Sequence, residues 1–440
     1  MKAGFAKVCI TPPAGCRLTG FSARQAASTG VHDDLFVRAL VLEEGETAVA
    51  LLSVEVLALA AETVQAVRQR IAARTEIPAE AILIATTHTH SGPVTIRTFF
   101  NDHEEPDPVY LERLVEAAAE SAARAWRNRS EAEVGLGCCL VKGLGVNRRD
   151  PESSVINRQA GILRVDAGGR TRAVAVIYGC HPTVLGFTNL EVSGDYPSAA
   201  LEAIEAALGP DGFAMFFNGA EANVSIGHSA ELSLVGVMMG TRTFQHAKVL
   251  GERLASAVLA ALPSVSTAEA PALGTAGVTL SLAGRAYPPL ETLERASAEA
   301  SARCMALAPG DPELLKARAR ELYNSIDFAN ARRLKERGGR IPLEIQAIRL
   351  DGAMLLGVSG EIFAETSLRI QELLARPFFL IGMANGYEGY LPTADAFAEG
   401  GYEVAVASCA ADSEQRIVRA AAELERQLQE KPAAAGLVRT

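Results

Sequence analysis

The stretch Ile82-Leu83-Ile84-Ala85-Thr86-Thr87-His88-Thr89-His90-Ser91-Gly92-Pro93 constrains this chain more than any other. Its apolar start reads as a short buried strand, and Ser-Gly-Pro closes it in a turn. Two histidines stand between them, two positions apart. On extended backbone such residues point to one side. His88 and His90 therefore face one cavity from a strand end. That arrangement presents two imidazoles to a metal, or one to the metal and one to its water.

Around this stretch, strands and helices intermix. Apolar runs at 5–10, 36–42 and 48–57 read as strands, the last two joined as a hairpin through Glu43-Glu44-Gly45-Glu46. Helices are expected at 61–74, 111–126, 198–208, 244–262 and 363–374. Further strands are expected at 133–140, 160–165, 173–178, 213–217, 274–282, 378–383 and 404–407. Residues 345–350 and 354–358, joined by Asp351-Gly352, form the clearest hairpin. Residues 290–337 are charged, Ala-rich and helical with a break near Pro309-Gly310, and read as a helical insertion or lid. The expected class is α/β, with mixed or stacked sheets covered by helices. A chain of 440 residues leaves room for more than one domain. With no repeat or clear linker, it reads as a single catalytic domain over 1–430, an insertion at about 290–338, and a frayed tail at 431–440.

Composition removes several function classes. With a net charge of −10 and no dense Lys/Arg run, a nucleic-acid surface is not expected. No apolar stretch has the length of an integral membrane segment. The first residues lack an apolar signal core, so a cytoplasmic location is expected. Seven cysteines without a CxxC pair are not a disulfide framework. Cys180, beside His181, ends an apolar strand and reads as a small buried hydrophobe.

Unusual polar residues collect where strands end. His88 follows the 82–85 run, His181 the 173–178 run, and Asn223 and Ser225 the 213–217 run. Glu361 follows Val358 at an expected helix start, and Tyr387 and Tyr390 lie just beyond Met383. Ligands of open α/β sheets bind at strand carboxyl ends. His32 follows a Gly-Val turn and is expected nearby. His103, His228 and His246 read as solvated or locally bonded. Two histidines and a carboxylate with open positions suit catalytic zinc, and the same set suits iron(II). Zinc would lower the pKa of its water and polarise a carbonyl.

These residues resemble a known family. Gly30-Val31-His32, Thr87 through Pro93, Asn147-Arg148, His181-Pro182-Thr183, Gly194-Asp195-Tyr196-Pro197, Asn223-Val224-Ser225, Gly360-Glu361 and Asn385 through Thr393 follow the order of the neutral/alkaline non-lysosomal ceramidases. The resemblance implies a ceramidase-like catalytic fold with one zinc held by His88, His181, Glu361 and Tyr390. It places His90 as the general base, and Arg148 and Tyr402 as groups that donate to the oxyanion or anchor a substrate oxygen. Ser225 aligns with a serine proposed as a nucleophile, but with a metal-bound water it need not attack, and it also reads as a turn cap. Glu365 and Glu388 read as solvated, and Asp195 as structural. The chain reads as a short member without the family's C-terminal immunoglobulin-like domain. Val94-Thr95-Ile96-Arg97 stands where the family usually continues with glycine. The expected activity is hydrolysis of a small amide, such as an N-acyl amide, by metal-activated water. Ceramide itself, an ester, lactone or cyclic amide, or non-catalytic metal binding are the alternatives.

Overall fold

Three sheets, each with a parallel pair at one edge, point those pairs toward one place. The computed structural model describes residues 1–98, 105–153, 155–238 and 240–430. His103 and the expected tail at 431–440 lie outside them.

The first sheet orders Ile82–Thr86, Thr47–Val54, Phe36–Glu44, Lys2–Cys9 and the edge piece Ser130–Glu131. The second orders Phe213–Asn218, Arg170–Tyr178, Gln159–Ala167 and Glu133–Leu140. The third orders Leu273–Ala283, Arg340–Leu350, Ala353–Val358 and Phe378–Ile381. In each, one edge pair runs parallel: Thr47–Val54 with Ile82–Thr86, Arg170–Tyr178 with Phe213–Asn218, and Ala353–Val358 with Phe378–Ile381. The remaining long pairings are antiparallel.

The period-two alternation of side chains builds the layers. On the Arg170–Tyr178 strand, Ala173, Ala175 and Ile177 join the core shared with the first sheet. Val174, Val176 and Tyr178 point the other way, onto helices Tyr196–Leu208 and Phe244–Ala261. In the third sheet, Ile348, Leu350 and Leu355 face that same first core, while Ile345, Ala347, Met354 and Leu356 pack under helix Ser413–Glu430. Helices Ala61–Ala72 and Pro108–Arg127 cover the first sheet through Val64, Val67, Leu114 and Ala118. Asp107 caps the second of these by accepting from the Val109 N–H, ahead of a proline at the first helical position.

Local departures from the sequence reading have physical causes. Residues 404–407, expected as a strand from their valines, lie mostly in the short helix Tyr402–Val406. Gly401, at φ +92°, starts it, and two arginines grip Glu403 inside it. Tertiary contacts override β-propensity here. Glu361 does not open a helix. It belongs to Glu361–Ile362, which pairs in parallel with Tyr390–Leu391, and the helix begins at Ala364. The 378–383 run stops at Ile381, because Met383 takes a left-handed φ of +50°. The 290–337 region forms two helices, Leu290–Met305 and Leu314–Glu336, packed on each other.

Candidate metal centre and active site

The three parallel pairs are bonded to each other at their carboxyl ends. Asn385 Oδ1 accepts from the Ile84 N–H at 3.0 Å, and the Met383 carbonyl from the Thr86 N–H at 3.3 Å. The Gly382 N–H donates to the Asn218 carbonyl at 2.9 Å, and the Met383 N–H to that of Gly360 at 3.1 Å. Each sheet thus delivers its chain exit to a point fixed by the other two.

At that point stand His88 and His90 from the first sheet, His181 from the second and Glu361 from the third. One ring nitrogen of each of the three histidines lies within 4.8 Å of the others, and all three side chains are buried. Glu361 Oε2 is 3.1 Å from His181 Nε2 and 3.9 Å from His88 Nε2. The Tyr390 hydroxyl is 3.4 Å from His181 Nε2, and Tyr387 donates to Glu361 Oε1 at 2.7 Å.

Backbone carbonyls set the tautomers. Nδ1 of His88 faces the Leu57 carbonyl at 2.9 Å, that of His90 the Gly20 carbonyl at 2.8 Å, and that of His181 the Glu221 carbonyl at 2.8 Å. Each Nδ1 therefore carries a proton, and on His88 and His90, whose burial favours the neutral ring, Nε2 keeps its lone pair. His88 takes a left-handed φ of +66°, uncommon outside glycine, and its N–H bond to the Val56 carbonyl at 3.0 Å holds it there. Gly20 makes room for His90, since a Cβ on it would lie 2.6 Å from the ring.

The charges follow from burial. Burial pushes the His88 imidazolium down to about 4 and lowers that of His90 well below its ordinary value, so both rings are neutral near pH 7. Burial alone would raise the Glu361 acid, yet His88, His181 and the Tyr387 hydroxyl hold it down to about 2. A carboxylate and imidazole nitrogens converge, with the Tyr390 hydroxyl beside them. Acceptors so placed repel one another unless a proton or a cation lies among them. The set of donor atoms is the kind that binds a divalent cation.

Arg148 flanks the centre, with its Nη2 donating to the Tyr390 hydroxyl at 3.0 Å and its Nε to Glu403 at 2.7 Å. Tyr402 lies edge-on to Tyr390, their ring centres 5.8 Å apart. His90, Arg148, His181, Tyr390 and Tyr402 line one cleft. Ser225 is not on its wall. Its hydroxyl donates to the His228 carbonyl at 3.1 Å and accepts from the Gly227 N–H at 3.3 Å, a turn closed on itself. Cys180 is buried, which drives its thiol pKa up and leaves it unreactive. Asp195 caps helix Tyr196–Leu208 and accepts from the Val184, Leu185 and Tyr196 N–H groups.

Several expectations are corrected. Glu365 is not solvated, because its carboxylate accepts from Asn223 at 2.7 Å and Asn147 at 3.2 Å. Glu388 is nearly buried and ion-paired with Arg337. His32 lies away from the cluster, stacked on Phe244 at 3.6 Å between ring centres. Of the two readings of His228, solvated or locally bonded, the second holds: it is buried on the cleft wall with Nδ1 3.3 Å from the Thr183 carbonyl.

Three residues escaped the sequence reading. Glu403 holds Arg148, and Arg242 lines the cleft. Glu221 is a fully buried carboxylate whose oxygens have no hydrogen-bond partner among the described residues. Burial, and then the Glu361 charge, raise its pKa far above the carboxylate range, so it is a neutral acid. None of the three sits in a motif that would have drawn attention to it.

The family profile described as neutral/alkaline non-lysosomal ceramidase, N-terminal, matches residues 2–225, just over half of the chain. The crystal structure of neutral ceramidase from Pseudomonas aeruginosa superposes with a TM-score of 0.76 at 19% identity, covering 98% of this chain and 74% of that one. A ceramidase complexed with C2 superposes with a TM-score of 0.74 at 17% identity, covering 100% of this chain and 77% of that one. No curated protein matches by sequence. The chain belongs to the neutral/alkaline non-lysosomal ceramidase family, and it is a hydrolase of a non-peptide carbon–nitrogen amide bond.

Proposed function

We propose that this protein is a zinc-dependent amidase acting on a small N-acyl amide, with His88, His181, Glu361 and Tyr390 holding the cation. The observation that carries this is the convergence of three imidazole nitrogens and a carboxylate on one buried point. A zinc ion bound there would acidify water and polarise a carbonyl. Iron(II) fits the same donor types.

The chain's own residues do the rest. His90 Nε2 bears a lone pair on the cleft side and accepts a proton from the attacking water, returning it to the leaving amine. Arg148, fixed by Glu403, keeps a positive charge beside Tyr390 where negative charge develops on the carbonyl oxygen. Tyr402 donates to that oxygen or anchors the substrate from the same wall. Ser225 serves its turn and makes no covalent bond to substrate. Residues 1–430 act as one catalytic domain, with helices Leu290–Met305 and Leu314–Glu336 as an insertion. Asn330 on the second helix donates to the Val406 carbonyl at 3.0 Å.

A second ligand set is favoured by one observation, the close spacing of all three histidines. In it His90 replaces Tyr390. Metal content of His90→Gln separates the two sets: retained metal supports the base role, and lost metal supports ligation. A panel of N-acyl amides assayed before chelation, after it and after zinc is restored tests the amidase reading. Turnover that stops and returns supports it, and turnover indifferent to chelation refutes it.

Among the described residues, no helix is long and apolar enough to cross a membrane.

A further inference from the structure

The histidines of the centre come from two sheets, and one short segment ties together the two chain exits that carry them. Residues 193–195 lie between the His88–His90 stretch and the turn that follows His181. On the first side, Thr89 Oγ1 donates to the Ser193 carbonyl at 2.6 Å, and the Ser193 N–H donates to the Ser91 carbonyl at 3.0 Å. On the second side, Asp195 accepts from the Val184 N–H at 3.3 Å and the Leu185 N–H at 2.9 Å. The neighbouring Tyr196 hydroxyl donates to the Cys180 carbonyl at 2.7 Å. His181 is thus held from the residue before it and from the turn after it.

The Thr183–Val184 peptide is gripped at both ends. Its N–H points to Asp195, and its carbonyl accepts from Arg242 Nη1 at 3.2 Å. Asp195 and Arg242 also attract each other. Bonds from a peptide to a charged group are stronger than those between neutral groups. The Thr183 N–H closes back on the His181 carbonyl at 2.9 Å, so the gripped peptide and the histidine belong to one turn.

Asp195 pays a conformational penalty for this place. Its backbone sits at φ +62° and ψ −154°, a region that residues other than glycine avoid. Capping a helix does not require that. Asp107, Ser229, Thr243 and Thr393 cap their helices from extended backbone with negative φ. Asp33 secures the strained segment, accepting from the Ser193 hydroxyl at 2.7 Å and the Gly194 N–H at 2.8 Å.

We propose that Asp195 and the adjacent Tyr196 are positioning residues of the metal centre, which set His181 against His88 and Glu361. This rests on the zinc reading above and adds which side chains fix the geometry of that site.

The test uses the full-length chain and two readouts besides turnover: zinc affinity by chelator competition, and the visible spectrum of the cobalt(II)-loaded protein. Asp195→Asn keeps the size but puts an NH2 group where one oxygen accepts. Asp195→Gly relieves the backbone and removes both acceptors. Zinc affinity is expected to fall about tenfold or more in each, with an altered cobalt spectrum. Tyr196→Phe keeps the buried ring and cuts only the Cys180 bond, and a smaller change of the same kind is expected. Arg242→Met combined with Asp195→Gly should lose less than the product of the separate losses, since both act on one peptide. Parental zinc affinity and cobalt spectrum in the Asp195 variants, with only a lower melting temperature, would make Asp195 a helix cap and overturn the proposal. Parental values in Tyr196→Phe, or a full product of losses in the double variant, overturn the shared grip. Unchanged variants of a parent that binds zinc leave the metal reading standing, whereas a parent that binds no zinc contradicts that reading and this proposal with it.

Discussion

His181 and Glu361, 180 residues apart in the chain, meet with Nε2 3.1 Å from Oε2. The other ring nitrogen faces the Glu221 carbonyl. Nε2 and Oε2 are thus left facing each other, and a cation bound between them would satisfy both. Glu361→Gln keeps the shape and the Tyr387 contact but removes the charge. It should lower zinc affinity by about tenfold to a hundredfold or more, read by competition with a chromophoric chelator, with the fold retained by circular dichroism.

Acid should destabilise the metal-free protein in two stages. His88 has a folded pKa of about 4 against about 6.5 unfolded. The unfolded chain binds more protons between these values, so stability is complete above about pH 6.5 and falls toward pH 4. Glu361, at about 2 when folded and about 4.3 unfolded, contributes stability above about pH 4.3 that is lost as pH falls toward 2. Melting temperatures of the metal-free chain should drop across the first window. His88→Asn, whose side chain tolerates the left-handed backbone, should flatten that drop.

Arg148→Lys keeps the charge but loses the planar fork that reaches Tyr390 and Glu403 together. The expected effect is a fall of about a hundredfold in kcat with a smaller change in KM. Zinc content should be unchanged. A pure KM effect would place Arg148 in ground-state binding instead.

Ser225→Ala should leave turnover within about threefold of the parent and cost about 1 kcal/mol of stability, the worth of a turn hydrogen bond. Abolished turnover in a folded, zinc-loaded variant would restore the serine as a nucleophile.

Much of this was readable from sequence because strand ends are punctuated. Ile82–Ala85 is uniformly apolar and leads into a histidine pair, and Asp351-Gly352 marks its hairpin without ambiguity. The α/β class and the gathering of His88, His181, Glu361 and Tyr390 near strand termini followed from such local signals, and the family from the order of the motifs. What was missed depends on long-range burial. Glu388 and Glu365 look solvated in sequence, and become structural only when Arg337 and Asn223 arrive from elsewhere. The valines at 404 and 406 suggest a strand until the arginine grip on Glu403 sets the backbone. Arg242 and His228 carry no motif, and their place on the cleft wall is fixed by the Thr183 carbonyl and two distant glycines.

The central claim is a single cation held where the three sheets meet. The measurement that reaches it most directly is an anomalous difference map at the zinc absorption edge from crystals of the zinc-loaded protein. The account predicts one strong peak in bonding contact with His88, His181 and Glu361, weaker in Glu361→Gln crystals prepared at the same zinc concentration. A map without a peak at that point, or with the density on residues outside this group, would contradict it.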